Sequence, residues 1–367
     1  MRIPYVNLKL QWKKEKKFLL RIIDQTLESG NWVGGENINK FEKKISKLCA
    51  TKYAASLNSG TDALTLGLHL LGVRRDDEVI TTPNSFIASV STIVHLGAKP
   101  VFVDVLSDQN IDPALLEKAI TKKTKAIMPV HLTGRISEMN EINRIAKKYN
   151  IPVIEDAAQS IGSMYHNKPS GSLGDVGCFS AHPLKNLNAF GDAGYLTTNS
   201  KKIYEKVIEL RNHGMANRNK IRNFGYVSRM DNLQAAVLNY RLKNLKNIIE
   251  KRRKNINIYK EYLDQNNVFI PHEKNYQYNT YHTFVIQVDK RDQLKKYLQE
   301  NKIQTAIHYP IPIHLQPASK FLGYNKGSFK NTERQAKRIL TLPINQFLKK
   351  TEIKFISDKI NYFYLKN

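Results

Sequence analysis

IPVIEDAAQSIG (residues 151–162) and SLGDVGCFSAHPLKNLNAFGDAG (residues 172–194) decide the reading of this chain. The first opens on a short apolar run, Pro152–Ile154, that reads as a buried strand and ends on the acidic pair Glu155-Asp156. The second carries another apolar segment, Val176–Phe179, then a loop holding Lys185 and a glycine-rich turn, Gly191–Gly194. In open α/β sheets ligands gather beyond the carboxyl ends of the strands. Asp156 and Lys185 each follow an apolar strand, so both are expected at that edge.

Upstream the chain alternates. Glu78–Thr82 reads as a strand, Ser85–Leu96 as a helix, Pro100–Val105 and Ala126–Val130 as strands, and Ile136–Tyr149 as a helix with apolar residues at helical spacing. Such alternation predicts a mostly parallel sheet with helices on both faces. After about residue 240 the texture changes: a long basic helix over Leu242–Asn266, a strand Thr283–Asp289, a helix Asp292–Asn301, a strand Gln304–His308 and a final helix Glu352–Leu365. The expected organisation is an N-terminal arm and large α/β domain over 1–240 and a smaller α+β domain over 241–367.

A carboxylate in the position of Asp156 can bind a metal, act as a base or pair with a ring nitrogen; a plain helix cap is the competing role. Gln159 lies near it if a helical turn follows. A lone lysine is ordinarily a solvated surface residue, but Lys185 stands between Pro183-Leu184 and Asn186-Leu187. Partial desolvation lowers a lysine pKa and suits it to Schiff-base chemistry. An aspartate for a pyridinium nitrogen and a Schiff-base lysine are together the pair that pyridoxal 5'-phosphate (PLP) needs. That coenzyme also needs a phosphate cradle. Asn58-Ser59-Gly60-Thr61-Asp62 precedes an apolar helix, Ala63–Leu71, whose N-terminus favours an anion; a simple helix cap explains the same residues. Asp62 adds unwanted negative charge there and is expected to cap the helix or brace the loop. Ser180 can add a hydroxyl, and Phe86 can stack on the ring or serve as core.

Composition sets bounds. The chain has 367 residues, 41% hydrophobic and 25% charged, as in ordinary globular proteins. No apolar run approaches the roughly 20 residues of a membrane span, and MRIPYVNLKLQWKKEKK lacks the apolar core of a secretory signal. Cys49 and Cys178 cannot build a disulfide framework, which fits the cytoplasm. The net charge of +26 is spread in short lysine runs without aromatic interleaving or zinc-finger spacing, so neither a nucleic-acid partner nor a metal is expected. A basic surface still attracts anionic small molecules such as nucleotide sugars.

NSGTDAL, EDAAQS, GDVGCFSAHPLKNLNAFGDAG, RNHGM, SRMDNLQAAVL and HYPIPIHLQPA, in this order, resemble the DegT/DnrJ/EryC1/StrS family of PLP-dependent sugar aminotransferases. The resemblance runs from IPYVNLKLQW to LTLPI near residue 343. It implies the type I (aspartate aminotransferase-like) PLP fold and a homodimer with shared active sites. It makes Lys185 the Schiff-base lysine and Asp156 the partner of the pyridine nitrogen. Gln159 approaches the ring hydroxyl, Gly60, Thr61 and Ser180 hold the phosphate, Phe86 stacks on the ring, and Asn232 reaches the phosphate from the neighbouring subunit. Ile161 stands where many relatives carry histidine. Some members lack the lysine and act as dehydratases or regulators; this chain keeps it.

HPLKNLN with GDAG resembles the branch acting on nucleotide-linked (dTDP) 3-keto-6-deoxyhexoses, with L-glutamate as amino donor, in deoxyamino-sugar biosynthesis of the lipopolysaccharide O-antigen kind. Amination at C4 of a 4-keto sugar, or a non-enzymatic PLP-fold regulator, are the alternatives. His182, His308 and Tyr309 are candidates for the sugar and Arg229 for its diphosphate; a structural role is the competing reading for each histidine.

Overall fold

A computed structural model describes residues 2–366. The large sheet is built from β1 (Tyr53–Leu57), β2 (Glu78–Thr81), β3 (Lys99–Phe102), β4 (Thr124–Ile127), β5 (Ile154–Asp156), β8 (Val176–Ser180) and β9 (Gly194–Thr198). Between them β6 (Met164–Tyr165) and β7 (Lys168–Pro169) make a small antiparallel hairpin. Hydrogen bonding gives the orders β1-β9-β8-β5 and β3-β2-β4. Parallel bridges Ile127–Val153 and Val130–Asp156 join β4 to β5, so the two groups form one surface. β9 runs antiparallel to both β1 and β8, while β5–β8, β2–β3 and β2–β4 are parallel. The sheet is therefore mixed and mostly parallel.

Both faces of the sheet are covered, so even a strand with two threonines is buried throughout: β9, GYLTT, is buried at every residue. The helix Gly60–Leu70 buries Ala63, Leu64, Leu66 and Leu68 against β8 and β9. The helix Met139–Lys148 buries Met139, Ile142, Ile145 and Ala146, one face at 3.6-residue spacing. It starts three residues after the expected Ile136. The expected helix from Ser85 begins only at Ala88 and runs to His95; Ser85 and Phe86 instead form cavity wall.

The C-terminal region has its own antiparallel sheet, with Phe284–Val288 between Val268–Phe269 and Ile339–Leu342. Its core gathers Ile256, Tyr259, Ile286, Leu294, Leu340 and Ile356, and Ile3 from the N-terminus joins it. Two expectations are corrected here. The long helix expected over Leu242–Asn266 is the single helix Leu245–Tyr262, starting three residues later and ending four earlier; a separate helix, Asn232–Leu242, precedes it across Lys243-Asn244. This one helix spans both cores: Leu245 and Ile249 near its start pack on the large-sheet side, while Ile256 and Tyr259 enter the second core. The strand Gln304–His308 is absent. The backbone at 302–304 pairs with Ile3, and only Ala306 reaches Thr341. Among the described residues no helix is long and apolar enough to cross a membrane.

Candidate active site

The carboxyl ends of β5 and β8 open onto a cavity of about 350 Å³. Its lining includes Gly60, Thr61, Phe86, Asp156, Gln159, Ser180, His182, Lys185, His308 and Tyr309. Those ten of the twelve residues singled out in the sequence thus meet in one place.

Asp156 ends β5 and is buried. Its Oδ2 accepts the Ser89 hydroxyl at 2.6 Å and its Oδ1 the Ala158 N–H at 3.2 Å. Burial pushes its pKa up; these two hydrogen bonds and the charges of Lys185 and His131 pull it back. Three residues on, Gln159 Oε1 accepts the Thr133 N–H at 2.8 Å, which leaves the amide NH₂ as its donor. Lys185 stands in the loop after β8, its backbone N–H bonded to the His182 carbonyl at 2.8 Å. Desolvation lowers the half-buried amine to about 8, against the opposing pull of Asp156. Lysine ordinarily titrates near 10.4, so burial brings this amine much closer to its neutral, nucleophilic form.

The helix N-terminus at Gly60 faces the same cavity. Ser59 caps it, its hydroxyl accepting from Asp62 N–H at 3.0 Å. The N–H groups of Gly60 and Thr61 belong to the first turn and have no intrahelical acceptor. A Cβ on Gly60 would come within 2.7 Å of the Ser180 Cβ, and one on Gly194 within 2.2 Å of the Ser59 carbonyl carbon. Only glycine lets these three segments close into a cradle. Asp62 accepts the Ser228 hydroxyl at 2.6 Å, bracing the loop as expected. Phe86 is 56% exposed with its ring 6.1 Å from that of Tyr309, so it is cavity wall and not core.

His308 bonds Thr341 Oγ1 at 2.9 Å, and burial beside the Lys185 charge lowers it to about 4. His182 is exposed, and its Nδ1 accepts the Leu184 N–H at 3.3 Å. The remaining two residues lie elsewhere in the chain. Arg229 bonds Asn212 Oδ1 at 2.9 Å. Asn232 is buried; its Nδ2 donates to the Asn31 carbonyl and its N–H to the Trp32 carbonyl, while its Oδ1 has no partner.

Sequence reading missed Ser89 and His282. Two serines one helical turn apart, Ser85 and Ser89, were the available signal for the first. His282 lines the cavity from the segment before Phe284–Val288, and burial drives its pKa well down; nothing in YHTF marks it.

A desolvated lysine, a buried carboxylate, an anion cradle at a helix N-terminus and an exposed aromatic ring converge here on one cavity. They are the protein parts that PLP requires, and on this mixed sheet they define the type I fold of PLP-dependent aminotransferases. The DegT/DnrJ/EryC1/StrS aminotransferase family matches residues 13–361, and the chain belongs to it. It is 39% identical to a pleiotropic regulatory protein of Geobacillus stearothermophilus, over 99% of each chain. It is 38% identical to the dTDP-3-amino-3,6-dideoxy-alpha-D-galactopyranose transaminase of Aneurinibacillus thermoaerophilus, over 98% of this chain and 99% of the relative. The crystal structure of S. venezuelae DesV in complex with a ketimine intermediate superposes with a TM-score of 0.96 at 33% identity, covering 99% and 98% of the two chains. The protein is a PLP-dependent sugar aminotransferase.

Proposed function

We propose that this enzyme moves an amino group from L-glutamate to C3 of a nucleotide-linked 3-keto-6-deoxyhexose, with dTDP as the nucleotide. The observation that carries this reading is the 38% identity, over nearly the full length, to a transaminase named for a dTDP-linked 3-amino-3,6-dideoxy sugar. HPLKNLN around Lys185 supports the same branch. The coenzyme, when bound, supplies an electron sink and carries the amino group between the two substrates.

The chain's residues do the rest. Asp156 holds a proton at the ring nitrogen. The neutral amine of Lys185 takes the proton from the donor's α-carbon and returns it at the coenzyme's C4′. Gly60, Thr61 and Ser180 hold the phosphate through N–H and O–H donors. Phe86 covers the ring, and Gln159 offers its amide NH₂ to the ring oxygen. His182, His308 and Tyr309 contact the sugar. Arg229 is kept for the diphosphate of a site formed with a second chain.

The working unit in this reading is a homodimer in which Asn232 enters the partner's site. The arm and large coenzyme-binding domain over 1–240 and the small domain over 241–367 are its two parts, supported by the separate C-terminal core. The reduced, buried Cys49 and Cys178 support a cytoplasmic location.

The test loads the enzyme with pyridoxamine phosphate and offers matched C3-keto and C4-keto nucleotide sugars. Conversion of the C3 compound, with the new amine located by NMR, is expected. Conversion of the C4 compound alone moves the enzyme to C4 amination, and conversion of neither removes the keto-sugar reading.

A further inference from the structure

Ser89 stands in the first turn of the helix Ala88–His95 and is 1% exposed. A serine there ordinarily caps the helix or bonds back to a nearby carbonyl. This one does neither. Its hydroxyl lies 2.6 Å from Asp156 Oδ2 and 2.7 Å from the Ser85 hydroxyl. An ionised carboxylate only accepts hydrogen bonds. The Ser89 proton is therefore committed to Asp156, and Ser85 must be the donor to Ser89. The backbone holds the arrangement too, since Ser89 N–H bonds the carbonyl of Phe86 at 3.1 Å. With Ala158 N–H on Oδ1, each carboxylate oxygen carries one donor.

We propose that Ser89 is a positioning residue for transamination: by donating to Asp156 it keeps the proton that Asp156 shares with the coenzyme's ring nitrogen on the nitrogen. The inference rests on the Asp156–ring nitrogen pairing argued above. A carboxylate buried without donors becomes a stronger base, because desolvation favours its neutral form. It then draws the shared proton toward oxygen and leaves the ring a neutral pyridine, a weaker electron sink. The Ser89 hydrogen bond is charge-assisted and short, which stabilises the ionised carboxylate and reverses that preference. No atom is gained or lost; the proton changes its mean position along one hydrogen bond.

The experiment uses holoenzyme reconstituted with PLP labelled with ¹⁵N at the ring nitrogen and reads the ¹⁵N resonance at a single pH. In Ser89→Ala the resonance should move toward that of unprotonated pyridine. The kcat should fall by about ten- to a hundredfold, the worth of a hydrogen bond to a charged group, with KM for the amino donor little changed. Ser89→Thr, which restores the hydroxyl, should return both. Asp156→Asn is the control that separates the two claims. If its resonance matches the wild type, the pairing of Asp156 with the ring nitrogen fails and the Ser89 role falls with it. If Asp156→Asn shifts the resonance while Ser89→Ala does not, Ser89 alone is overturned. Should Ser89→Ala not retain coenzyme, Ser89→Cys keeps the volume with a much weaker donor; a wild-type resonance there likewise overturns the proposal.

Discussion

The cavity at Lys185 and the surroundings of Asn232 are both buried polar places, yet they are built on opposite terms. Around Lys185 the chain supplies nearly everything itself. Asp156 has a donor on each oxygen, Gln159 is fixed by Thr133, and Gly60 and Gly194 let the cradle close. Asn232 is held by the backbone of Asn31 and Trp32, but its buried Oδ1 faces no donor. Leaving such an acceptor unpaired costs about 1–3 kcal/mol. The first place gathers its groups within one chain; under the shared-site reading proposed above, the second would meet a second chain.

The largest effect should come from breaking the first place alone. Lys185→Ala should lower transamination by about 10³-fold or more, since proton transfer and covalent attachment are lost together. Borohydride treatment of the wild type should fix the coenzyme to Lys185, and peptide mapping of the variant should find no such adduct. The fold should survive, because the native lysine already sits where desolvation disfavours its charge. An adduct on another lysine of the wild type overturns the assignment.

Asp156→Asn probes the same cavity more gently. The amide is nearly isosteric and still accepts through its oxygen, so coenzyme should bind. It cannot hold the ring proton as an ion pair, and kcat should fall by about 10²–10³-fold. Adding Lys185→Ala should cost little more than Lys185→Ala by itself, because residues acting as one unit are not additive. Near-wild-type rates in Asp156→Asn would remove the carboxylate from the reaction.

The contrast between the two places also explains what the sequence could tell. Asp156 and Lys185 were legible because short apolar strands place their following residues at a sheet edge, and that rule is local. The Ser59 cap and the Gly60 cradle were legible for the same reason. What stayed hidden depends on distant pairing. Nothing local says that β9 runs antiparallel between β1 and β8, or that Ser89 meets a carboxylate sixty-seven residues away. The ends of the helix Leu245–Tyr262 were only roughly legible because the polar, basic residues on either side, Lys243-Asn244 and Gln265-Asn266, suit a helix surface as well as a turn. Gln304–His308 has strand-like residues, but Ile3 takes the backbone at 302–304. Asn232 and Arg229 were reached only through the family resemblance, since their local context marks a helix start and no chemistry.

The smallest effect, and the sharpest test of the contrast, belongs to Asn232. Asn232→Ala removes one uncharged hydrogen-bonding side chain, so coenzyme affinity should drop by about three- to fifteenfold with the lysine chemistry intact. If Asn232 serves the partner's site, mixing decides it. In a heterodimer of Lys185→Ala and Asn232→Ala chains, one site takes Lys185 from the second chain and Asn232 from the first, and is whole. The other site lacks both. At coenzyme concentrations low enough to leave the Asn232→Ala homodimer largely empty, purified heterodimers should show up to half the wild-type activity. The Lys185→Ala homodimer should remain silent at any concentration. If Asn232 instead serves its own chain's cavity, each heterodimer site carries one lesion, and activity should not exceed half that of the Asn232→Ala homodimer. Differential tags on the two chains isolate the heterodimer, and coenzyme titration reads the affinity of the restored site. Activity no higher than that of the Asn232→Ala parent places Asn232 outside the partner's site, and its unpaired Oδ1 then needs another explanation.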